Sequence, residues 1–234
     1  MQKNLSSKIT GLVMGCFIAT AVIIYPTEAG EVEQKPPFLM HANSIKQIIR
    51  QAPTLNPNVL VLGLKAYEKV KREGWNQRPL LTIVDYSKPS SELRLWVLNL
   101  ENNTVLFHDY VAHGKNSGWN FAKKFSNQID SFQSSLGLLL TSNPYMGRNG
   151  YSLRLIGLER GFNHNAASRN IVFHASQYVN KAYVDSNGRL GRSWGCFAVS
   201  SAIVRRLIDT IQGGTLVLSY YPDRNWLSQS RFLT

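Results

Sequence analysis

Cysteine is scarce in this 234-residue chain, which holds only Cys16 and Cys196. There is no Cys-x-x-Cys and no His-x-x-x-His, so zinc-type ligand spacing is missing and neither metal nor other cofactor is expected. The Gly-x-Ser-x-Gly elbow of serine hydrolases is also missing. Acidic residues are few, 14 against 26 Lys and Arg, for a formal net charge of +12. Yet no basic block and no aromatic-interleaved RNA motif occurs, which argues against nucleic acid as the partner. No internal repeat is visible. Hydrophobic residues make up 44% of the chain and charged ones 17%, which describes a folded domain and excludes disorder.

One apolar run stands out at the N-terminus. Lys3 and Lys8 precede Ile9 to Tyr25, Pro26 breaks the run, and Ala29 is a small residue at a plausible cleavage point. This is the pattern of an export signal over residues 1–29. An uncleaved anchor is the alternative. A lipoprotein-type cleavage at Val13 to Cys16 is disfavoured because it would leave Phe17 to Tyr25 as an apolar tail. Export places the protein in the periplasm or cell envelope, with no stable membrane contact after cleavage. Loss of residues 1–29 lowers the net charge by one, to +11, which suits anionic envelope polymers better than nucleic acid.

Without the signal, Cys196 is the sole thiol and no intramolecular disulfide can form. An unpaired thiol is a liability in an oxidising compartment, which favours a functional role over that of a small buried hydrophobe. Its neighbours Ser193, Trp194 and Gly195 do not read as a smooth buried strand.

A polar, Pro-rich lead-in, residues 30–77, is expected to carry helices over Ala42 to Gln51 and Asn58 to Glu73. From Leu80 the apolar period becomes two. Strands are expected at Leu81 to Asp85, Leu93 to Leu98, Thr104 to His113, Ser135 to Thr141, Tyr151 to Leu158, Asn170 to Ala175 and Thr215 to Tyr221. A helix is expected from Ser200, ended by Gly213-Gly214. The fold class is mainly β with flanking helices. The main domain spans residues 78–222, with a C-terminal tail at 223–234.

Ile171 to Ser200 concentrates the chemistry. His174 ends an apolar run, and Cys196 lies 22 positions on, with Asp185 to Gly191 between them expected to turn the chain back. A cysteine nucleophile needs a base, and an imidazolium beside it would lower the thiol's pKa into an ion pair. Gly195 lets the main chain approach a carbonyl, so the N–H groups of Gly195 and Cys196 are candidate oxyanion donors. Taken alone, His174 reads better as a satisfied strand-end histidine, and Cys196 with Gly195 reverses that balance. His41, His108, His113 and His164 are weaker candidates.

The string Ser193-Trp194-Gly195-Cys196 downstream of His174 resembles the Ser/Thr-His-Gly-Cys signature of the YkuD-type L,D-transpeptidase catalytic domain. The wider sequence is similar to the murein L,D-transpeptidase catalytic domain family, where Trp commonly precedes the Gly. Phe125 to Thr141, Gly147 to Ala175, Gly188 to Ser200 and Ile208 to Pro222 carry the likeness. It implies a mainly β YkuD-like fold acting on peptidoglycan stem peptides. Cys196 would attack the L-diaminopimelate–D-Ala bond of a tetrapeptide, with D-Ala leaving and an amine of another stem, a D-amino acid or an envelope protein accepting the acyl group. His174 would be the base, oriented by the Ala175 carbonyl, with Gly195 and Cys196 as oxyanion donors. Three positions depart from the pattern: Trp194 for His, Phe197 for Pro, and Ala175 for Gly. Arg189 and Arg192 are the first candidates to bind stem carboxylates, ahead of Arg154 and Arg169. Trp194, Ser193, Tyr151 and Ser135 are further candidates. Water as acceptor would make the protein an L,D-carboxypeptidase, and a decayed site would leave a basic wall-binding protein.

Overall fold

The computed structural model describes residues 42–75 and 78–234. The expected export signal at 1–29, the start of the lead-in and His41 lie outside the described residues.

Helix α1 (Ala42–Gln51) and helix α2 (Pro57–Arg72) come first. Asn56 caps α2, its side chain accepting from the Asn58 N–H at 2.9 Å, and Pro57 supplies the preset φ of a first turn. Lys69, Lys71 and Arg72 fill the last turn, where they oppose the helix dipole.

Nine strands follow: β1 (Leu80–Asp85), β2 (Leu95–Asn99), β3 (Thr104–Asp109), β4 (Val111–Ala112), β5 (Gly137–Gly147), β6 (Gly150–Gly157), β7 (Val172–Ala175), β8 (Phe197–Val199) and β9 (Leu216–Tyr220). They form one sheet in the order β3-β2-β1-β9-β5-β6-β7-β8-β4. The pairs β1·β9 and β7·β8 are parallel and the rest antiparallel. Strands β3 and β4 occupy opposite ends of that order, yet only Tyr110 separates them along the chain. The sheet therefore curls until its two ends meet, as a barrel wall does.

The period-two alternation divides between two cores. Leu81, Ile83, Trp96 and Leu98 face α1 and α2, meeting Ile48, Leu60, Leu64 and Tyr67. Val84, Leu95, Val97 and Val217 face the other way, toward helix α4 (Val204–Ile211) through Leu207, Ile208 and Ile211. Strand β1 is consequently buried at all six positions. At about 25 cal/mol per Å2 of apolar surface, this two-sided burial contributes most to holding the sheet together.

Three helices differ from expectation, β8 adds a strand to those expected, and the strand expected at Thr104 to His113 divides into β3 and β4. Helix α3 (Lys181–Asn187) occupies much of the stretch read as a turn. Asn180 caps it, Lys181 and Asp185 pair at 2.7 Å, and Gly188 at φ 69° ends it. It buries none of its residues, so it leaves no apolar period to read. Helix α4 begins at Val204, after a turn at Ser201 to Ile203, and not at Ser200. The tail contains helix α5 (Arg224–Gln229), whose Trp226 is fully buried in the first core. The Trp226 Nε1–H donates to Glu159 at 3.0 Å, as does the Leu138 N–H at 2.6 Å, and the Ser230 hydroxyl donates to the same carboxylate. Burial raises the Glu159 pKa against these donors. Both the lead-in helices and the tail pack into the sheet's own core, so packing does not break at 78 or 222.

Candidate active site

Strand β7 presents alternate side chains to opposite faces. Phe173 points into the core and stacks on Phe197 of β8 at 4.9 Å between ring centroids. The parallel register sets His174 beside Ala198, so His174 and Cys196, two residues before Ala198, emerge on the same face. Both line a cleft of about 510 Å3, along with Arg169, Asn170, Arg192 and Trp194. The 22-residue interval between thiol and imidazole is thus closed by one strand pairing.

The segment before Cys196 is held from behind. The Ser193 N–H donates to the His113 carbonyl at 2.9 Å, and the Lys115 N–H to the Ser193 carbonyl at 2.7 Å. Gly195 has φ +115°, and a Cβ there would stand 2.7 Å from the Gln133 carbonyl oxygen, so only glycine fits. The Ser193 hydroxyl donates to the Cys196 carbonyl at 2.6 Å and accepts from the Gly195 N–H at 3.1 Å. Of the two expected oxyanion donors, the Gly195 N–H is therefore engaged locally. The Cys196 N–H has no acceptor among the described residues.

His174 Nδ1 lies 2.8 Å from the Ala175 carbonyl. That contact fixes the tautomer with the proton on Nδ1 and leaves Nε2 as the basic nitrogen. Burial holds the His174 pKa below the usual imidazole range, with the Ala175 carbonyl opposing. The half-buried Cys196 thiol reaches the Asn170 carbonyl at 3.3 Å. Burial pushes its pKa up, while the Val172 N–H and the Arg169 charge pull it down. Both shifts favour a neutral resting pair, in place of the ion pair expected from sequence. Chemically, a neutral thiol and imidazole can react by moving the thiol proton to imidazole as sulfur attacks a carbonyl.

Among the other candidates, Arg192 lines the cleft but bonds the Lys115 and Gly118 carbonyls at 3.1 and 3.2 Å. Arg189 is not among the cleft-lining residues; it stacks 3.8 Å over Trp119 and bonds the Leu190 carbonyl. Trp194 is 67% exposed at the cleft rim, edge-on to Phe132 at 5.3 Å with the Lys115 ammonium 5.2 Å away. It does not pack beneath the loop. Ser193 supports the turn. Tyr151 is outside the cleft, its hydroxyl donating to Asp209 on α4 at 2.7 Å. Arg154 stacks on Tyr145 at 4.1 Å, and Ser135 is buried behind the cleft under Arg169. His164 accepts from Gly161 and contacts Asn127 in the loops. Asp130, Phe132 and Asn170 line the cleft with positive φ of 58°, 53° and 54°. Backbone strain of this kind gathers at functional sites, and no sequence signal marked it. Among the described residues no three His, Cys, Asp or Glu side chains could hold a metal ion, and no helix is long and apolar enough to cross a membrane.

A family model described as the L,D-transpeptidase catalytic domain matches residues 51–220. No curated protein sequence matches the chain. Similar solved structures include an L,D-transpeptidase from Mycobacterium smegmatis, at 14% identity and TM-score 0.38, covering 61% of this chain and 59% of that one. Another is an L,D-transpeptidase from Xylanimonas cellulosilytica, at 18% identity and TM-score 0.35, covering 62% of each. A third is the helical cell shape determining protein Pgp2 from Campylobacter jejuni, at 8% identity and TM-score 0.39, covering 68% of this chain and 57% of that one. The chain thus spans about three fifths of the length of these proteins. On the family match, which takes in well over half of the sequence, the chain belongs to the L,D-transpeptidase catalytic domain family.

Proposed function

We propose that this member of the L,D-transpeptidase catalytic domain family is a cysteine acyltransferase of peptidoglycan. The observation that carries the reading is the placement of Cys196 and His174 on one face of β7 and β8, in one cleft, with His174 Nδ1 committed to the Ala175 carbonyl. The donor is a tetrapeptide stem and the bond attacked is L-diaminopimelate–D-Ala. The Cys196 proton passes to His174 Nε2 as sulfur bonds to the carbonyl carbon and its oxygen takes the negative charge. The Cys196 N–H is the main-chain donor available to that oxygen. Collapse of the adduct breaks the C–N bond, and His174 returns the proton to the departing D-Ala amine. An acceptor amine then repeats the sequence on the thioester.

Arg192 and Trp194 line the cleft, and in this reading they meet the stem, the guanidinium through a carboxylate and the indole through apolar contact. Arg189 and Tyr151 are set aside by their positions. The enzyme acts in the cell envelope, to which residues 1–29 direct it. The test is incubation with a purified muropeptide tetrapeptide, followed by chromatography and mass spectrometry. Cross-linked dimer, or exchange with an added D-amino acid, supports the transferase. Tripeptide alone indicates a carboxypeptidase. No turnover, with Cys196→Ala behaving as wild type, indicates a binding protein.

A further inference from the structure

The turn that carries Cys196 is short of donors for a developing negative charge, although Arg148, Arg169 and Arg192 line the cleft. Negative charge develops on sulfur and then on the carbonyl oxygen, yet the Gly195 N–H is spent on Ser193, and Trp194 is not an imidazole. His174 carries a proton only after receiving one from the thiol. A separate observation bears on this deficit. Arg169, which no resemblance singles out, ends the loop before β7, half-buried in the cleft wall. Its Nη1 donates to the Ser135 hydroxyl at 2.9 Å and to the Ser126 carbonyl. Its Nη2 donates to the Gln133 carbonyl at 2.6 Å and the Ser131 hydroxyl at 3.1 Å. All four acceptors are neutral, and none of the ion pairs among the described residues includes Arg169.

A half-buried guanidinium without a counter-ion costs free energy that neutral acceptors only partly return. Its position indicates where that charge is directed. A Cβ built on Gly195 would lie 2.7 Å from the Gln133 oxygen and 3.5 Å from Arg169 Nη2, so the guanidinium sits behind the Gly195-Cys196 peptide. Tyr86 and Tyr178, two phenols near Cys196, are neutral at physiological pH, burial raising the pKa of each. Asp130, next to Ser131 in the loop that holds Arg169, lines the cleft together with Arg148 and Arg192. Arg192 is turned to the Lys115 and Gly118 carbonyls, and Arg148 is exposed on the β5–β6 turn.

We infer that Arg169 is the fixed cation of the active site, stabilising the negative charge that develops on Cys196 sulfur and the attacked oxygen. This rests on Cys196 being the nucleophile. Arg169 exchanges no proton. It stays charged throughout, and its four bonds prevent it from swinging into the substrate. The rival explanation is a clamp that only ties the 126–135 loop to the end of the 161–170 loop.

The two are separated by alkylating Cys196 with iodoacetamide, in which the thiolate displaces iodide, across pH 6 to 11 in the full chain. Wild type, Arg169→Gln and Arg169→Lys are compared, with melting temperature measured alongside. Charge stabilisation predicts that Arg169→Gln raises the midpoint by about one pH unit and slows alkylation at pH 7.5 about tenfold. Arg169→Lys, which keeps the charge and loses the forked bonds, should hold the wild-type midpoint even where its melting temperature falls. An unchanged midpoint in Arg169→Gln, or an equal rise in both variants, overturns the inference. If Arg169→Gln does not fold, Arg169→Lys decides alone: a held midpoint in a less stable protein supports the charge, and a raised one contradicts it. Alkylation needs no peptidoglycan, so failure of the transferase reading shows separately in the muropeptide assay.

Discussion

Two histidines near Cys196 invite comparison, because both are buried, burial lowers the pKa of both, and only one has a ring nitrogen left uncommitted. His113 follows β4, its ring fully enclosed. Its Nδ1 meets the Arg94 guanidinium at 2.9 Å, and its Nε2 faces the Gly118 carbonyl at 3.4 Å. Arg94 is itself enclosed, bonding the Val111 and Lys88 carbonyls and lying 5.0 Å over the Tyr86 ring. Burial and the Arg94 charge drive the His113 pKa down to about 3. His174, by contrast, has one nitrogen committed and the other toward the cleft. Burial alone does not make a base. A basic nitrogen needs an unclaimed lone pair facing the substrate, and His174 meets that condition where His113 does not. His113 holds the turn instead, since its own carbonyl receives the Ser193 N–H.

Loss of the thiol should have the largest effect. Cys196→Ala should abolish acylation completely. His174→Asn should slow acylation by about 10²- to 10⁴-fold, the usual range for losing a general base, with little change in melting temperature. In wild type the acylation rate should stay level as pH falls to below about 6.5, because burial keeps His174 unprotonated past the ordinary imidazole midpoint. A pH–rate profile whose acid limb sits above that value would remove His174 from the role.

His113→Asn should do the reverse. It is expected to cost about 1–3 kcal/mol of stability by leaving Arg94 less well paired, while activity per folded molecule changes little. The pH dependence has a definite sign. The unfolded chain protonates His113 near 6.5 and the native state does not until about 3, so this group's contribution to stability is lost as pH falls below 6.5. Denaturant titrations at pH 7.5 and 5.5 should therefore show the gap between wild type and His113→Asn narrowing by about 1 kcal/mol.

The last effect concerns Glu159, which is not among the cleft-lining residues. Glu159→Gln turns one acceptor into a donor facing Leu138 N–H, Trp226 Nε1–H or the Ser230 hydroxyl. A loss of about 1–3 kcal/mol in chemical denaturation is expected, with the acylation rate unchanged.

The sharing of one cleft by Cys196 and His174 was legible because a lone thiol, a preceding glycine and a histidine closing an apolar run are chemical signals. The strands were legible through alternation, although two-sided burial meant that the same alternation described two cores. Helix α3 was hidden because it buries nothing, and β8 because it is three residues long inside the motif itself. Tyr151 was misplaced since its partner Asp209 is 58 residues away. The opposite directions in which burial moves the Cys196 and His174 pKa values were not legible, because sequence reports the neighbours of a thiol and not its burial. Arg169 escaped notice as a charge for the nucleophile because its surroundings are assembled from residues 126–135, which no spacing rule connects to it.

Everything proposed for this cleft depends on Cys196 being its acylated nucleophile. Intact-protein mass spectrometry after incubation with a carbapenem, whose strained lactam is an acyl donor, decides that point without a peptidoglycan substrate. One adduct per chain is predicted, mapping to Cys196, absent in Cys196→Ala, much slower in His174→Asn and retained in His113→Asn. Folded wild type that takes up no adduct, while the same protein unfolded is fully alkylated by iodoacetamide, would contradict it.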